Sequence, residues 1–180
     1  LVDGTGAAPR QGVTVTVRGG RIASIVEQAP QPTSGVRQID LGGRFLLPGL
    51  IDAHSHIEYA VYAGFGDGLP FVPWIGMHVQ RKEALDLDDM VAIATVGAHE
   101  CLRSGITTIG DCSFSGAAAT AAAATGLRAI VYLELFGFWS RAAVWQRIEA
   151  VRNGLGVRMI LCVGKHLRVS EELLDADDAA

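Results

Sequence analysis

The sequence is poor in charged and aromatic residues, which make up 19% and 7% of its 180 positions, whereas apolar residues make up 49%. An average soluble domain is roughly 25% charged, so this chain has ample apolar material for a packed core. Only 6 residues are proline, and no low-complexity tract of the kind that stays disordered is present. The composition indicates a folded protein and excludes a mainly disordered one.

Basic residues are too few and too scattered for a nucleic-acid-binding surface. Lys and Arg total 15 against 19 Asp and Glu, a formal charge of -4, and no basic stripe matches a phosphate backbone. Long hydrophobic runs are also lacking, because Gly126, Arg128 and Glu134 interrupt the apolar stretch at 117–139. A bilayer span needs ~20 apolar residues. We therefore expect neither a nucleic-acid partner nor a membrane span.

Cysteine is scarce, since Cys101, Cys112 and Cys162 are the 3 in the chain and form no C-x-x-C motif. An odd number of widely spaced cysteines predicts neither a disulfide framework nor a structural zinc knuckle, so reduced, buried thiols are expected. The chain opens at Leu1 with no initiator Met and no signal segment. These features favour a fragment of a longer protein with a cytoplasmic location.

Residues 1–46 predict a small β unit. Apolar and polar residues alternate over 13–17, as in a half-buried strand, and residues 18–21 supply a hairpin turn to a partner strand over 22–26. A further short strand is expected over 36–41, before a pair of glycines turns the chain again.

The rest of the chain, 47–180, alternates apolar strands with helices and so predicts an α/β fold. Near-continuous apolar runs, typical of parallel strands with both faces buried, occupy 47–57, 106–112, 127–136 and 157–163. Helices are predicted over 88–103, 117–125, 142–152 and from Glu171 onward. Four such units fit half of a doubly wound sheet or half of a (β/α)8 barrel. The doubly wound alternative lacks a G-x-G-x-x-G phosphate loop.

Two histidines, His54 and His56, stand one residue apart at the end of the first apolar strand. Residues i and i+2 of a strand point to the same side, so the two imidazoles can converge on one point. Neutral imidazole suits zinc or iron(II), and barrel enzymes keep their chemistry at the C-terminal ends of strands. The spacing alone is weak, because two histidines at this spacing also occur at ordinary strand ends.

The residues around this motif resemble the amidohydrolase superfamily. The first match is the run Gly-Arg-Phe-Leu-Leu-Pro-Gly-Leu-Ile-Asp-Ala-His-Ser-His at 43–56. The run at 100–111, ending in Gly-Ile-Thr-Thr-Ile-Gly-Asp, is similar to the chlorohydrolase and adenosine- and cytosine-type deaminase branch. Residues 70–74 resemble the short apolar segment that this branch places after its first metal strand. The resemblance covers 1–137.

This resemblance implies the N-terminal part of a (β/α)8 TIM-type barrel, with about four β/α units, preceded by a small β-sandwich-like unit. Residues 1–46 would then be part of a composite β-sandwich domain and residues 47–180 an incomplete metal-dependent hydrolase barrel. The implied enzyme hydrolyses non-peptide carbon–nitrogen bonds and deaminates an amidine-like heterocycle, its small-molecule partner. The implied cofactor is one divalent metal ion, zinc or iron(II), with His54 and His56 as its first two ligands.

Other residues of the family's site would lie beyond residue 180: a third metal His, a Glu that moves protons, a further His and an Asp. No catalytic acid or base is therefore assigned within this sequence, and the 180-residue chain alone is expected to be inactive. His166 is the candidate for the family's substrate-contact His, although the aromatic residue that usually follows is missing from Gly-Lys-His-Leu-Arg-Val-Ser at 164–170.

Two alternatives stay open. Lys165 allows a binuclear family member, similar to a cyclic amidase or a dipeptidase, in which a carboxylated lysine bridges two metals. The other alternative is a non-catalytic truncated product.

Glu58 is interpreted as a residue close to the metal or as a surface carboxylate. The apolar strands predict an open sheet edge, through which the chain would form homo-oligomers or aggregate.

The remaining polar residues are expected to be structural. His78 is placed in a loop and His99 on a helix, neither with a partner at ligand spacing. Asp111 ends the second strand at the expected catalytic face or caps the next turn. The acidic group at 86–89 is interpreted as the start of a helix.

Overall fold

A computed structural model of the chain describes residues 1–27 and 34–135, together with the backbone pairing of 160–163. The chain divides into two compact units, Leu1–Gly49 and Leu50–Ala180. Among the helices in the described ranges, none combines the length and the apolar character that crossing a bilayer requires.

The first unit contains an antiparallel hairpin of β1 (Thr14–Arg18) and β2 (Arg21–Val26). Gly19 and Gly20 form its turn with φ values of +56° and +73°. A two-residue turn with positive φ at both positions matches the twist of the strands, and glycine adopts it without a Cβ clash. The hairpin predicted from alternation is confirmed.

The prediction of a short strand over 36–41 is wrong. That stretch has no regular structure, and the sheet described in this unit consists of β1 and β2. Local turns organise the chain instead, because Asp40 Oδ1 accepts a hydrogen bond from the amide of Gly42 and the Leu41 carbonyl accepts one from Arg44. A strand needs a neighbouring strand for its backbone groups, and the described sheet offers none to this stretch.

The second unit is built on a parallel sheet with the strands in sequence order: β3 (Leu50–Ser55), β4 (Ile106–Ser113), β5 (Arg128–Leu135) and β6 (Ile160–Val163). Each neighbouring pair is parallel. This order is the one that successive β/α units produce. The four predicted strands are confirmed, although β3 is shorter than the predicted 47–57.

Helices connect the strands of this sheet: a 3-10 helix η1 (Ile57–Tyr62), α1 (Phe71–Lys82) and α2 (Leu87–Arg103) before β4, and α3 (Ala117–Thr125) after it. The sequence predicts α2 and α3 but not α1. Pro73 obscures the helical pattern of α1, yet it lies in the first turn, where backbone N–H groups have no intrahelical partner to lose. The helices predicted over 142–152 and from Glu171 lie outside the described residues.

A capping box begins α2. Asp86 Oδ1 accepts from the amide of Asp89 at 2.9 Å, and Asp89 Oδ2 accepts from the amide of Asp86 at 3.3 Å. Two N–H groups that the helix itself leaves unpaired are thereby satisfied. The interpretation of the acidic group as a helix start is confirmed.

Small residues let η1 approach α2 closely. A Cβ added at Gly97 would lie 2.7 Å from the carbonyl oxygen of Ile57 and 2.9 Å from its Cβ. Ala94 and Ala98, on the same helix, are fully buried. The segment that follows β3 is therefore packed tightly against the middle of α2.

Candidate functional site

The C-terminal ends of β3 and β4 bring together His54, His56 and Cys112. Their candidate donor atoms all lie within 4.8 Å of one another. The two imidazole rings are nearly perpendicular, with centroids 5.1 Å apart. His54 is exposed, His56 is partly buried and Cys112 is buried. The two histidines singled out in the sequence do converge, and a sulfur atom from the next strand joins them.

The backbone of Cys112 orients the ring of His56. Its carbonyl oxygen lies 2.8 Å from His56 Nδ1. A carbonyl oxygen only accepts hydrogen bonds, so Nδ1 carries the proton, and in a neutral imidazole Nε2 then keeps its lone pair. Metal-binding histidines commonly use this arrangement, with one ring nitrogen held by a carbonyl and the other available to the ion.

Asp111 ties the end of β4 to the segment that carries His56. Its Oδ2 accepts hydrogen bonds of 2.8 Å from the Ser55 hydroxyl and from the Ile57 amide. The side chain is fully buried, and Oδ1 has no partner among the described residues. Burial raises the pKa of Asp111 to about 6, against the opposing effect of its two hydrogen bonds. These bonds run back to the end of β3 and the start of η1, so the interpretation as a cap of the following turn is wrong.

Glu58 is also fully buried, so its interpretation as a surface carboxylate is wrong. The carboxylate accepts hydrogen bonds from the Ser113 hydroxyl, from the amide of Phe114 at 2.9 Å, and from the amide and hydroxyl of Ser115 at 3.1 and 2.8 Å. Burying a carboxylate is costly unless its oxygens are hydrogen-bonded, as they are here. Glu58 thus holds the loop after β4 against the segment after β3.

An aromatic cluster lies next to the site and contains the fully buried His78. Its ring contacts those of Tyr59, Tyr62, Phe65 and Trp74, at centroid distances between 4.4 and 6.3 Å. Tyr59 in turn contacts His56, with centroids 5.6 Å apart. His78 was predicted to lie in a loop because the sequence did not predict α1, but it lies on that helix. His99 lies on α2, as predicted.

The donor set fits a divalent metal ion. Imidazole nitrogens such as those of His54 and His56 are borderline-soft donors, which suit zinc or iron(II) and not magnesium or calcium. The proton on His56 Nδ1 leaves Nε2 in the form that a metal requires. Lys165 and His166, the other predicted site residues, lie outside the described residues.

Comparison with known sequences finds a matching family and similar enzymes. Residues 45–173 match the model of the amidohydrolase family. A 5-methylthioadenosine/S-adenosylhomocysteine deaminase from Syntrophobacter fumaroxidans is 37% identical over 128 residues, which cover 69% of this chain and 29% of that protein. A 5'-deoxyadenosine deaminase from Methanosarcina mazei is 30% identical over 129 residues, covering 71% and 29%. The chain therefore spans about a third or less of the length of these relatives.

Two solved structures share the fold. The guanine deaminase from C. acetobutylicum with bound guanine has a TM-score of 0.66 at 18% identity, over 91% of this chain and 43% of that one. Molinate hydrolase has a TM-score of 0.56 at 21% identity, over 86% and 36%. At these identities the likeness concerns the fold alone, and it agrees with the parallel α/β arrangement of β3 to β6.

Proposed function

The chain belongs to the amidohydrolase family, and from this premise we propose that it carries metal ligands of a hydrolase that deaminates an amidine-like heterocycle. The convergence of His54 and His56 at the end of β3 carries the proposal. In this proposal β3 to β6 are the first four strands of a (β/α)8 barrel, whose catalytic face is the C-terminal end of the strands.

The proposed cofactor is one zinc or iron(II) ion, which lowers the pKa of a water molecule toward ~7 and so supplies a nucleophile at neutral pH. His54 and His56 hold it. The Cys112 carbonyl keeps the proton of His56 on Nδ1, and Asp111 accepts a hydrogen bond from Ser55, the residue between the two histidines.

The proposed substrate class is a 6-aminopurine nucleoside or a related ring amidine. The two named relatives are deaminases of adenosine compounds, which supports this class over the binuclear alternative through Lys165. The reaction adds one water across the amidine carbon, breaks the exocyclic C–N bond and releases ammonia. His166 is proposed as a substrate contact.

Metal titration tests the ligand assignment. Zinc is added to the metal-free chain in competition with a chromophoric chelator, and we expect one ion per chain. His54→Ala and His56→Ala should each weaken binding by at least about 10-fold, since loss even of a residue that only supports a ligand costs that much. His99→Ala, an exposed histidine outside the cluster, is the matched control. Binding that survives both ligand substitutions would contradict the assignment.

Ammonia release tests the reaction. In a chimera, the 128 aligned residues of this chain replace the corresponding segment of the Syntrophobacter fumaroxidans relative. We expect zinc-dependent ammonia release from 5-methylthioadenosine that is lost with His56→Ala, whereas the 180-residue chain alone releases none. A folded chimera that is inactive with zinc, or one whose activity survives His56→Ala, would overturn the proposal.

A further inference from the structure

Cys112 contacts both histidines of the site through two different atoms. Its carbonyl oxygen lies 2.8 Å from His56 Nδ1, and its Sγ lies 3.7 Å from His54 Nδ1. We propose that Cys112 is a positioning residue that holds both rings by Nδ1, so that each presents Nε2 to the metal. This inference rests on the proposed function, because it concerns how the same two histidines meet the ion.

The contact with His54 follows the same rule as the contact with His56. An imidazole that binds a metal through Nε2 keeps its proton on Nδ1, so this N–H needs an acceptor. The sulfur of cysteine is a weak acceptor, and hydrogen bonds to sulfur are longer than those to oxygen. At 3.7 Å, Sγ is placed to accept from His54 Nδ1.

Burial explains why this position matters. The ring of His54 is exposed, and an exposed side chain loses rotamer freedom when it is fixed on a metal. Cys112 is buried at 7% exposure in β4, so its sulfur is a fixed point against which the ring can be held before the ion arrives. Because β4 pairs directly with β3, one residue reaches both imidazoles.

A sulfur that bound the metal directly would have a different geometry and a different absorption spectrum. The two nitrogens of an imidazole point away from each other, so an atom that bonds Nδ1 of His54 does not also bond an ion on Nε2. Sulfur bound directly to cobalt(II) produces a strong sulfur-to-metal absorption in the near ultraviolet, whereas histidine and water ligands do not. Cobalt(II) therefore distinguishes a positioning sulfur from a ligating one.

Cobalt(II) is titrated into the full 180-residue chain, the Cys112 variants and Cys101→Ala, with affinity and absorption spectrum recorded together. Cys112→Ala should weaken binding about 10-fold to 100-fold, as for other residues that support metal ligands. Cys112→Ser should recover much of the affinity, because its hydroxyl accepts a hydrogen bond, whereas Cys112→Val, which fills the buried volume without an acceptor, should not. Cys101→Ala removes a thiol of α2 outside the cluster and should bind like the original chain.

If the original chain binds cobalt, three results would overturn this inference without overturning the metal site. They are unchanged affinity in Cys112→Val, equal loss of affinity in the serine and valine variants, or a sulfur-to-cobalt band that disappears in Cys112→Ser. Failure of the original chain to bind cobalt would overturn the metal site itself and the inference with it. The serine–valine comparison decides the matter even if Cys112→Ala does not fold, and circular dichroism of each metal-free variant checks folding.

Discussion

His78 packs its ring among aromatic side chains, and neither of its nitrogens has a hydrogen-bond partner within the described part of the chain. Burial, with smaller effects from Arg81 and Lys82, lowers its pKa below the ordinary value of 6.5. In the unfolded chain the same histidine takes up a proton near that ordinary value. The unfolded state therefore binds more protons just below it, and this contribution to stability is lost as the pH falls.

We expect His78→Phe to remove this part of the pH dependence. Between about pH 7 and about pH 5, the original chain should lose up to about 1.4 kcal/mol per pH unit more than the variant, the limit for one proton. Urea unfolding at several pH values measures the difference. His99→Phe, at an exposed position, should keep the original slope. Parallel pH profiles for the original chain and His78→Phe would contradict the prediction.

At the scale of single residues, the sequence identifies only what a local pattern contains. His54 and His56 are recognisable because positions i and i+2 share a side of a strand. Asp111 and Cys112 contact the β3 segment across sequence separations of 54 to 58 positions. These contacts depend on the parallel register of two strands. The one signal available was that Cys112 stands at the end of the neighbouring predicted strand.

Among the elements, the contact of η1 with α2 depends on the absence of a side chain at Gly97. An added Cβ would meet the Ile57 backbone at 2.7 Å, so the two elements would have to separate. Overpacking of this kind costs about 1–3 kcal/mol, against about 1 kcal/mol gained in helix propensity. Ile57 follows His56 directly, so the shift also displaces a proposed ligand.

Gly97→Ala and Gly76→Ala form a matched pair. A Cβ at Gly76, within α1, meets nothing within 4 Å, so that variant gains propensity without a clash. We expect Gly97→Ala to be less stable than Gly76→Ala by about 1–3 kcal/mol in urea unfolding and to bind zinc more weakly. Equal stability of the two variants, or zinc affinity unchanged by Gly97→Ala, would show that the close approach is not needed.

Elements with local signals were predictable, and elements that depend on distant partners were not. The capping box at Asp86 and the glycine that ends α3 mark their helices in the sequence. Alternation marked β1, whereas the strand predicted over 36–41 has no neighbour in the described sheet. For α1, Pro73 hid a helix whose buried side includes His78.

For the whole molecule, the order of strands β3 to β6 follows from the repeated β/α pattern. The amidohydrolase match over residues 45–173 agrees with that pattern. The closed barrel, the domain assignment at 46, the homo-oligomer and the cytoplasmic location stay predictions. They depend on partners, chain segments and surroundings that pattern and local packing do not contain.

A metal bound by the folded chain but not by the unfolded chain stabilises the folded state. At a zinc concentration 100 times the dissociation constant, the free energy of unfolding should rise by about 2.7 kcal/mol. The variant carrying both His54→Ala and His56→Ala should show no such rise, because neither imidazole is left to bind the ion. Urea unfolding with and without zinc, followed by far-ultraviolet circular dichroism, measures both. An equal rise in that double variant would place the stabilising ion elsewhere and remove the main support for the proposed hydrolase, since the fold alone does not specify a reaction.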